Sequence, residues 1–375
     1  MGRPVCGAAD RRIMTLEVRL RHAFAGFTLD VAFTAPAGVT ALFGRSGSGK
    51  TTVINAVAGL LRPDAGRIVS DGRVLFDSAG GINVAVHRRR LGYVFQDARL
   101  FPHLTVRQNL LYGRWFAPRG PGEPLERVLD LLGIGPLLAR RPGALSGGER
   151  SRVAIGRALL SNPAMLLMDE PMAALDEARK AEILPYLERL RDETQVPILF
   201  VSHALAEVAR LATTLVVLEG GRVLRAGPAQ EMLSDPAAVP ALGIREAGSV
   251  LAARLARHEA DGLSRLETSA GPLWLPLVAA DPGALLRVRI AAQDVMLALT
   301  RPEGISALNI LPATVTAVRL GEGPGAVVQL RAGTDLLLAR VTRRSAEAMG
   351  LAAGGAVFAV IKSVAVAQSD IGGSG

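Results

Sequence analysis

Lysine is almost absent from this chain. Of its 43 basic residues, 40 are arginine, and the three lysines are Lys50, Lys180 and Lys362. Cysteine occurs once, as Cys6, which excludes an internal disulfide and fits a reducing cytoplasm. Aromatic residues make up only 4% and do not interleave with basic ones, so a single-stranded nucleic-acid surface is not indicated and no nucleic-acid partner is expected. No uninterrupted apolar run reaches about 18 residues, the length a bilayer-spanning helix needs. The opening MGRPVCGAADRR has no apolar segment of the secretory kind, and residues 1–13 read as an extension ahead of Met14.

What is present suits packed cores. With 375 residues, 49% of them apolar and 21% charged, the chain is expected to form two or three domains. The net charge of +9 is uneven: residues 1–238 hold 30 basic and 23 acidic residues, the remainder 13 and 11. A basic first part suits nucleotides, nucleic acid or an anionic membrane face, of which the low aromatic content disfavours single-stranded nucleic acid.

Over residues 14–238 short, continuously apolar runs alternate with helical patterns. VTALFG (39–44), AMLLM (164–168), PILFV (197–201) and TLVVLEG (214–220) read as buried strands; 51–61, 123–133, 149–161 and 176–194 read as helices. The alternation predicts an α/β layered domain. Pro185 is expected to kink or divide the last helix. From about residue 240 the texture turns to short β-rich runs, among them LLRVRI, AVVQL, DLLLARV and FAVIKSVAVA, broken by PEG, GEGPG and AAGG. These predict a small β-barrel or sandwich. The expected boundaries are 14–238, a linker and β-rich segment over 239–303, a β-domain over 304–368, and a disordered tail over 369–375.

The stretch GRSGSGKTT (44–52) fits G-x-x-x-x-G-K-[ST] between a strand and a helix. Gly44, Gly47 and Gly49 let the backbone curl, so that N–H groups of the loop Gly44-Arg45-Ser46-Gly47-Ser48-Gly49 face a phosphate. The helix N-terminus adds partial positive charge. Lys50 is placed to reach the outer phosphates, Thr51 to ligate Mg²⁺, and Thr52 follows it into the helix. Downstream, AMLLMDEP (164–171) ends an apolar strand in two carboxylates: Asp169 for the metal shell and Glu170 to polarise an attacking water. HRRR (87–90) reads as a solvated charge run or a contact with anionic lipid or a membrane partner.

LSGGER (145–150) opens a helix ahead of Asp169, and the ordered set resembles the ATP-binding cassette family over residues 14–238. Gln96 in YVFQD matches the family's Q-loop, AALD (173–176) its D-loop with Ala173 where Ser is commoner, and His203 in LFVSHA its switch histidine. The resemblance implies an ATP- and Mg²⁺-dependent ATPase working as a head-to-tail homodimer. Ser146, Gly147 and Gly148 of one copy would complete the phosphate site of the other. Asp176 would couple the two sites, His203 and Glu170 would act on the γ-phosphate, and Gln96 would join the metal shell and signal to a partner. Phe24, or else Phe27, is the candidate for stacking on adenine.

GYVFQDARLFPHLTVRQNLLYG (92–113) resembles the ATPase subunits of molybdate importers. SALNILPATV (306–315) and VIKSVAVA (360–367) resemble the two signature stretches of the molybdate-binding Mop fold, an OB-type barrel. That resemblance makes Ser306, Asn309, Lys362 and Ser363 candidate oxyanion ligands, with Leu308 where the family commonly has Arg. The expected architecture is therefore an α/β P-loop ATP-binding cassette domain followed by a small all-β OB-type (Mop-like) domain. The implied partners are a second copy, integral-membrane permease subunits and, indirectly, an external oxyanion-binding protein, at the cytoplasmic face of the membrane. The implied cargo is molybdate or tungstate. The alternatives are an importer ATPase for sulfate, iron or a sugar, and an oxyanion-binding regulatory ATPase uncoupled from transport. Lys180 reads as solvated.

Overall fold

The computed structural model describes residues 15–115, 122–173, 175–194, 196–243, 247–321, 323–367 and 370–373; Cys6 and the extension over 1–13 lie outside them. The first body is built on an 11-stranded sheet. Five of its strands are neighbours in the order Thr214–Glu219, Val39–Phe43, Ile198–Ser202, Met165–Asp169, Leu91–Val94, all paired in parallel. The remainder is mostly antiparallel and includes Leu16–Phe24, Phe27–Ala35 and Ala65–Ser70.

The period-2 alternation of strands explains why the parallel runs are apolar throughout. Val39, Ala41 and Phe43, with Leu166, Met168, Ile198 and Phe200, join one core beneath helices Gly147–Leu160 and Glu177–Glu193. Leu42, Leu167, Leu199 and Val201 point the other way, onto helix Lys50–Ala58. Both faces are covered, so both residue sets must be apolar.

The C-terminal body has two five-stranded antiparallel sheets. One runs Gly271–Pro276, Leu263–Thr268, Gly248–His258, Leu285–Ala291, Ile371–Gly373; the other Val295–Ala298, Ala356–Ile361, Asn309–Leu320, Gly325–Ala332, Asp335–Thr342. Alternate residues of both, such as Leu251, Leu255, Leu311, Val315, Val328 and Leu330, share one core. Among the described residues no helix is long and apolar enough to cross a membrane.

Several expectations change. The β-rich segment expected within 239–303 builds one body with 304–368: Val295–Ala298 pairs with Ala356–Ile361 and the core is common. Within the tail expected to be disordered, Ile371–Gly373 forms a strand against Leu286–Val288. Helix Glu177–Glu193 continues through Pro185, whose ring is on the exposed face, where a carbonyl freed one turn earlier meets water. Arg89 leaves the charge run and is only 2% exposed. Its guanidinium donates to Val84 O, Ala56 O, Val57 O and Asn83 Oδ1. Lys180 is ion-paired with Glu177 at 3.0 Å and Glu207 at 3.4 Å.

Candidate active site

The phosphate loop leaves the end of Val39–Phe43 and enters helix Lys50–Ala58 at Gly49, whose φ is 102°. A Cβ there would lie 2.6 Å from Leu29 Cδ1, so only glycine fits both the backbone angle and the space. No side chain caps this helix and no acidic residue sits in its first turn. Its leading N–H groups and dipole are therefore free for an anion. Lys50, 5% exposed, donates from Nζ to Gly44 O at 2.7 Å and Arg45 O at 3.1 Å. Burial lowers its pKa, and Glu170 and Asp169 pull in the opposite direction. Ser48 is turned inward and buried, whereas Arg45 and Ser46 are exposed.

A cavity of about 450 Å³ opens over the loop, lined among others by Phe24, Phe27, Lys50, Thr51, Thr52 and Glu170. The Phe24 and Phe27 rings stand 6.2 Å apart at the rim, with Phe24 42% exposed. Thr51 Oγ1 donates to Asp169 Oδ1 at 3.3 Å. Burial raises the Asp169 carboxyl, an effect the Thr51 hydrogen bond offsets in part and the Glu170 charge reinforces. Among the described residues no group of three or more His, Cys, Asp or Glu gathers as an all-protein metal site. A hydroxyl beside a carboxylate, two hard oxygens, fits Mg²⁺ that takes its other ligands from nucleotide and water.

Parallel pairing of Met165–Asp169 with Ile198–Ser202 sets Asp169 opposite Val201. The residues just past both strand ends, Glu170 and His203, thereby meet, with His203 Nδ1 3.2 Å from Glu170 Oε2. Glu170 has a left-handed φ of 45°, uncommon for a residue with a side chain and frequent where function constrains the backbone.

Other predicted residues stand apart. Gln96 is exposed in the bend after Leu91–Val94 and does not line the cavity. Ser146 caps helix Gly147–Leu160 in a reciprocal box with Glu149, Ser146 N to Glu149 Oε2 at 2.7 Å and Glu149 N to Ser146 Oγ at 3.2 Å. Neither Ser146 nor Gly147 nor Gly148 lines the same chain's cavity. Asp176 caps helix Glu177–Glu193, its Oδ1 accepting from Arg179 N at 2.9 Å.

The sequence reading missed two residues. The Tyr93 hydroxyl lies 3.0 Å from Asn55 Oδ1 and 3.4 Å from Asp169 Oδ2, joining the phosphate-loop helix to the carboxylate strand; burial raises its pKa. Arg157, on the helix that Ser146 caps, donates to the carbonyls of Ala98 and Arg99, just past Gln96. A polar aromatic in a buried strand and an arginine on a helix's apolar side were the available signals.

In the C-terminal body Asn309 is fully buried and bridges strands: its Oδ1 accepts from Trp274 N at 2.6 Å and its Nδ2 donates to Trp274 O at 3.0 Å. The same Nδ2 reaches Ser363 Oγ at 3.4 Å. The strand expected over FAVIKSVAVA ends at Ile361, because a 3₁₀ turn over Ser363–Ala365 takes over. Lys362 is exposed at the start of that turn, and Ser306 and Leu308 are exposed ahead of Asn309.

Comparison with known proteins agrees with this geometry. The ABC transporter family matches residues 29–173 and the TOBE domain family residues 305–368. The structure of cbiO1 from Clostridium perfringens, part of the ABC transporter complex cbiONQ, covers 61% of this chain and 94% of its own, with TM-score 0.51 and 28% identity. A nucleotide-free ATP-binding cassette from an ABC transporter gives TM-score 0.50 at 28% identity, covering 60% of this chain and 97% of its own. Phosphate loop, carboxylate pair and partnered histidine on this sheet define an ABC transporter ATPase with a C-terminal TOBE domain.

Molybdenum import ATP-binding protein ModC of Mesorhizobium japonicum is 53% identical, covering 96% of this chain and 98% of its own length. ModC of Rhizobium etli is 54% identical, covering 94% and 99%. The chain belongs to the ModC family of molybdenum import ATP-binding proteins.

Proposed function

We propose that this chain is the ATP-hydrolysing subunit of a molybdate importer, working as a homodimer beneath membrane permease subunits that an external oxyanion-binding protein feeds. The observation that carries the ATPase part is the Glu170–His203 pair, 3.2 Å apart, beside the Lys50 and Thr51 cavity. Full-length similarity to molybdenum import ATP-binding proteins supports the cargo.

The loop N–H groups and Lys50 would bind the phosphates, with Phe24 or Phe27 against adenine. Lys50 would exchange its two loop carbonyls for phosphate oxygens, a stronger, charge-assisted partner. Thr51 and Asp169, with Gln96, would hold Mg²⁺, which when bound neutralises charge on the phosphate oxygens. Glu170 would orient the attacking water and accept its proton. His203 would leave Glu170 for the γ-phosphate once nucleotide fills the cavity.

Ser146, Gly147 and Gly148 sit away from their own chain's cavity, which suits donation to a second copy's γ-phosphate, where helix N-terminal N–H groups stabilise growing charge. Asp176 would then lie at the junction of the copies. In the C-terminal body, the exposed Lys362 ammonium, Ser363 and Ser306 would bind an oxyanion, with Asn309 supporting Ser363 from below. This body would pair the subunits and report the internal oxyanion pool. The deciding experiment is ATP-driven uptake of molybdate into vesicles carrying the permease and this chain, with sulfate and tungstate as competitors. Absence of ATP-driven molybdate uptake, uptake abolished by equimolar sulfate, or uptake unaltered by Glu170→Gln would overturn the reading.

A further inference from the structure

The last strand of the C-terminal body does more than extend its own sheet. Ile371–Gly373 pairs on one side with Leu286–Val288 and lies on the other against helices Glu177–Glu193 and Leu205–Leu211 of the ATPase body. There Arg191 donates from Nη2 to Gly373 O at 2.7 Å, and Gly373 N donates to Glu188 Oε2 at 3.2 Å. Glu188 is itself held by Arg210, Nε to Oε1 at 2.6 Å, with side chains 9% and 7% exposed. Gly372 has no room for a side chain, because a Cβ would lie 2.3 Å from Glu188 Oε1.

The same place receives a second arm. Arg287 of the C-terminal body donates to Ala212 O through both terminal nitrogens at 3.0 Å, and Arg191 Nη1 donates to Arg210 O at 2.6 Å. These carbonyls end helix Leu205–Leu211, where backbone acceptors lack helical partners and positive charge is favoured. A buried ion pair is weak evidence for stability, since desolvation offsets the attraction. Its consequence here is positional: the end of one helix, the side of another and the tail strand are fixed to one another.

Both helices follow strands that end just before Glu170 and His203. Asp176 caps the first, and the second starts two residues after His203. Their near ends are tied as well, Lys180 Nζ to Glu207 Oε1 at 3.4 Å and Ser202 Oγ to Glu207 Oε2 at 2.6 Å. A helix this short spans about 10 Å, so a shift at Arg210 arrives at His203. At the other end of the path, the turn of Lys362 and Ser363 lies only eight residues before Ile371.

We propose that Ile371–Gly373 is the latch through which an oxyanion at the Lys362–Ser363 turn changes ATP hydrolysis, with Glu188, Arg210 and Arg287 as positioning residues for the His203 helix. The inference rests on the oxyanion reading above. The test uses the full chain, its molybdate binding followed by calorimetry and its ATPase rate followed with and without molybdate.

In the wild type, molybdate binds and lowers hydrolysis by about 5-fold or more, the lower end of allosteric couplings. Gly372→Val, which crowds Glu188 and the Arg210 arm, keeps molybdate binding but loses the response, whatever its basal rate. Truncation after Ala367 removes the strand without crowding and behaves alike. A molybdate response that survives both changes would overturn the latch alone, as would wild-type binding with no effect on hydrolysis. Absence of binding in the wild type would overturn the oxyanion reading and the latch with it.

Discussion

His203 Nδ1 stands 3.2 Å from Glu170 Oε2, although the two residues belong to different strand ends and are far apart in sequence. Parallel register produces the meeting, and the left-handed backbone at Glu170 completes it. Glu170→Gln keeps size and hydrogen bonding but removes the proton acceptor. Steady-state phosphate release should fall by about 10²–10⁴-fold, the usual worth of a positioned general base. Nucleotide titration of the same variant should show ATP binding retained. Unchanged release would remove Glu170 from catalysis.

Lys50 tests the phosphate cradle. Its ammonium is held by the carbonyls of Gly44 and Arg45 inside a buried loop, a place for a compact, flexible charge. Lys50→Arg puts a planar fork where there is space for a point, and Lys50→Met removes the charge. Both should weaken ATP binding by about tenfold or more, the loss expected from one charge-assisted hydrogen bond of about 1.5–3 kcal/mol. Lys50→Met also takes the donor from two loop carbonyls, so ATP affinity is read below the melting temperature of the variant; equal affinity in Lys50→Met would sink the assignment.

How far these features were legible in the sequence depends on how local their causes are. The phosphate loop and the carboxylate strand are written in contiguous residues with glycine, lysine and acid at fixed spacing, and the structure places them as read. Arg89 looked like a member of a surface charge run, because neighbouring basic residues say nothing of which one turns inward to the carbonyls of Ala56 and Val57. Lys180 looked solvated because its partner Glu207 comes from a later helix. The strand over 371–373 was unreadable in a glycine-rich tail: its partners, Leu286–Val288 and Glu188, are tertiary. The turn that ends the strand before Lys362 was hidden for the opposite reason, since VIKSVAVA keeps a β-like apolar pattern through a 3₁₀ segment.

Arg89 carries a stability prediction. Four acceptors, two of them carbonyls in the last turn of the phosphate-loop helix, depend on one buried guanidinium. Arg89→Met takes this donor from all four, leaving Ala56 O only its bond from Gly59 N, and should cost about 3 kcal/mol, within the range for stranding buried polar groups. Denaturant unfolding of the full chain measures this, and a loss well under 1 kcal/mol would mean that water replaces the guanidinium.

Two neighbours in the C-terminal body should separate by function. Asn309 is fully buried and ties both backbone groups of Trp274, so Asn309→Ala should destabilise this body by about 1–3 kcal/mol whatever ligand is present. Lys362 is exposed, so Lys362→Arg should leave melting unchanged and reduce molybdate affinity in calorimetry. Equal affinity in Lys362→Arg would return that lysine to ordinary surface duty.

Asp294 supplies a pH dependence whose sign can be fixed. Burial raises its carboxyl above the ordinary aspartate range, the nearby Asp370 reinforces the shift, and Arg289 opposes it. Arg289 is meanwhile engaged with Asp370 at 2.9 Å, beside the tail strand. A carboxyl raised in the folded state binds protons more tightly there than in the unfolded chain, so stability falls as pH rises through the interval above about 4 and then levels. Asp294→Asn removes the penalty. It should raise the melting temperature at pH 7, and the gain should shrink as pH drops toward the unfolded carboxylate value, where both forms are neutral. Melting curves across pH 3.5 to 7.5 follow the difference, and a gain independent of pH would assign it to packing and not to charge.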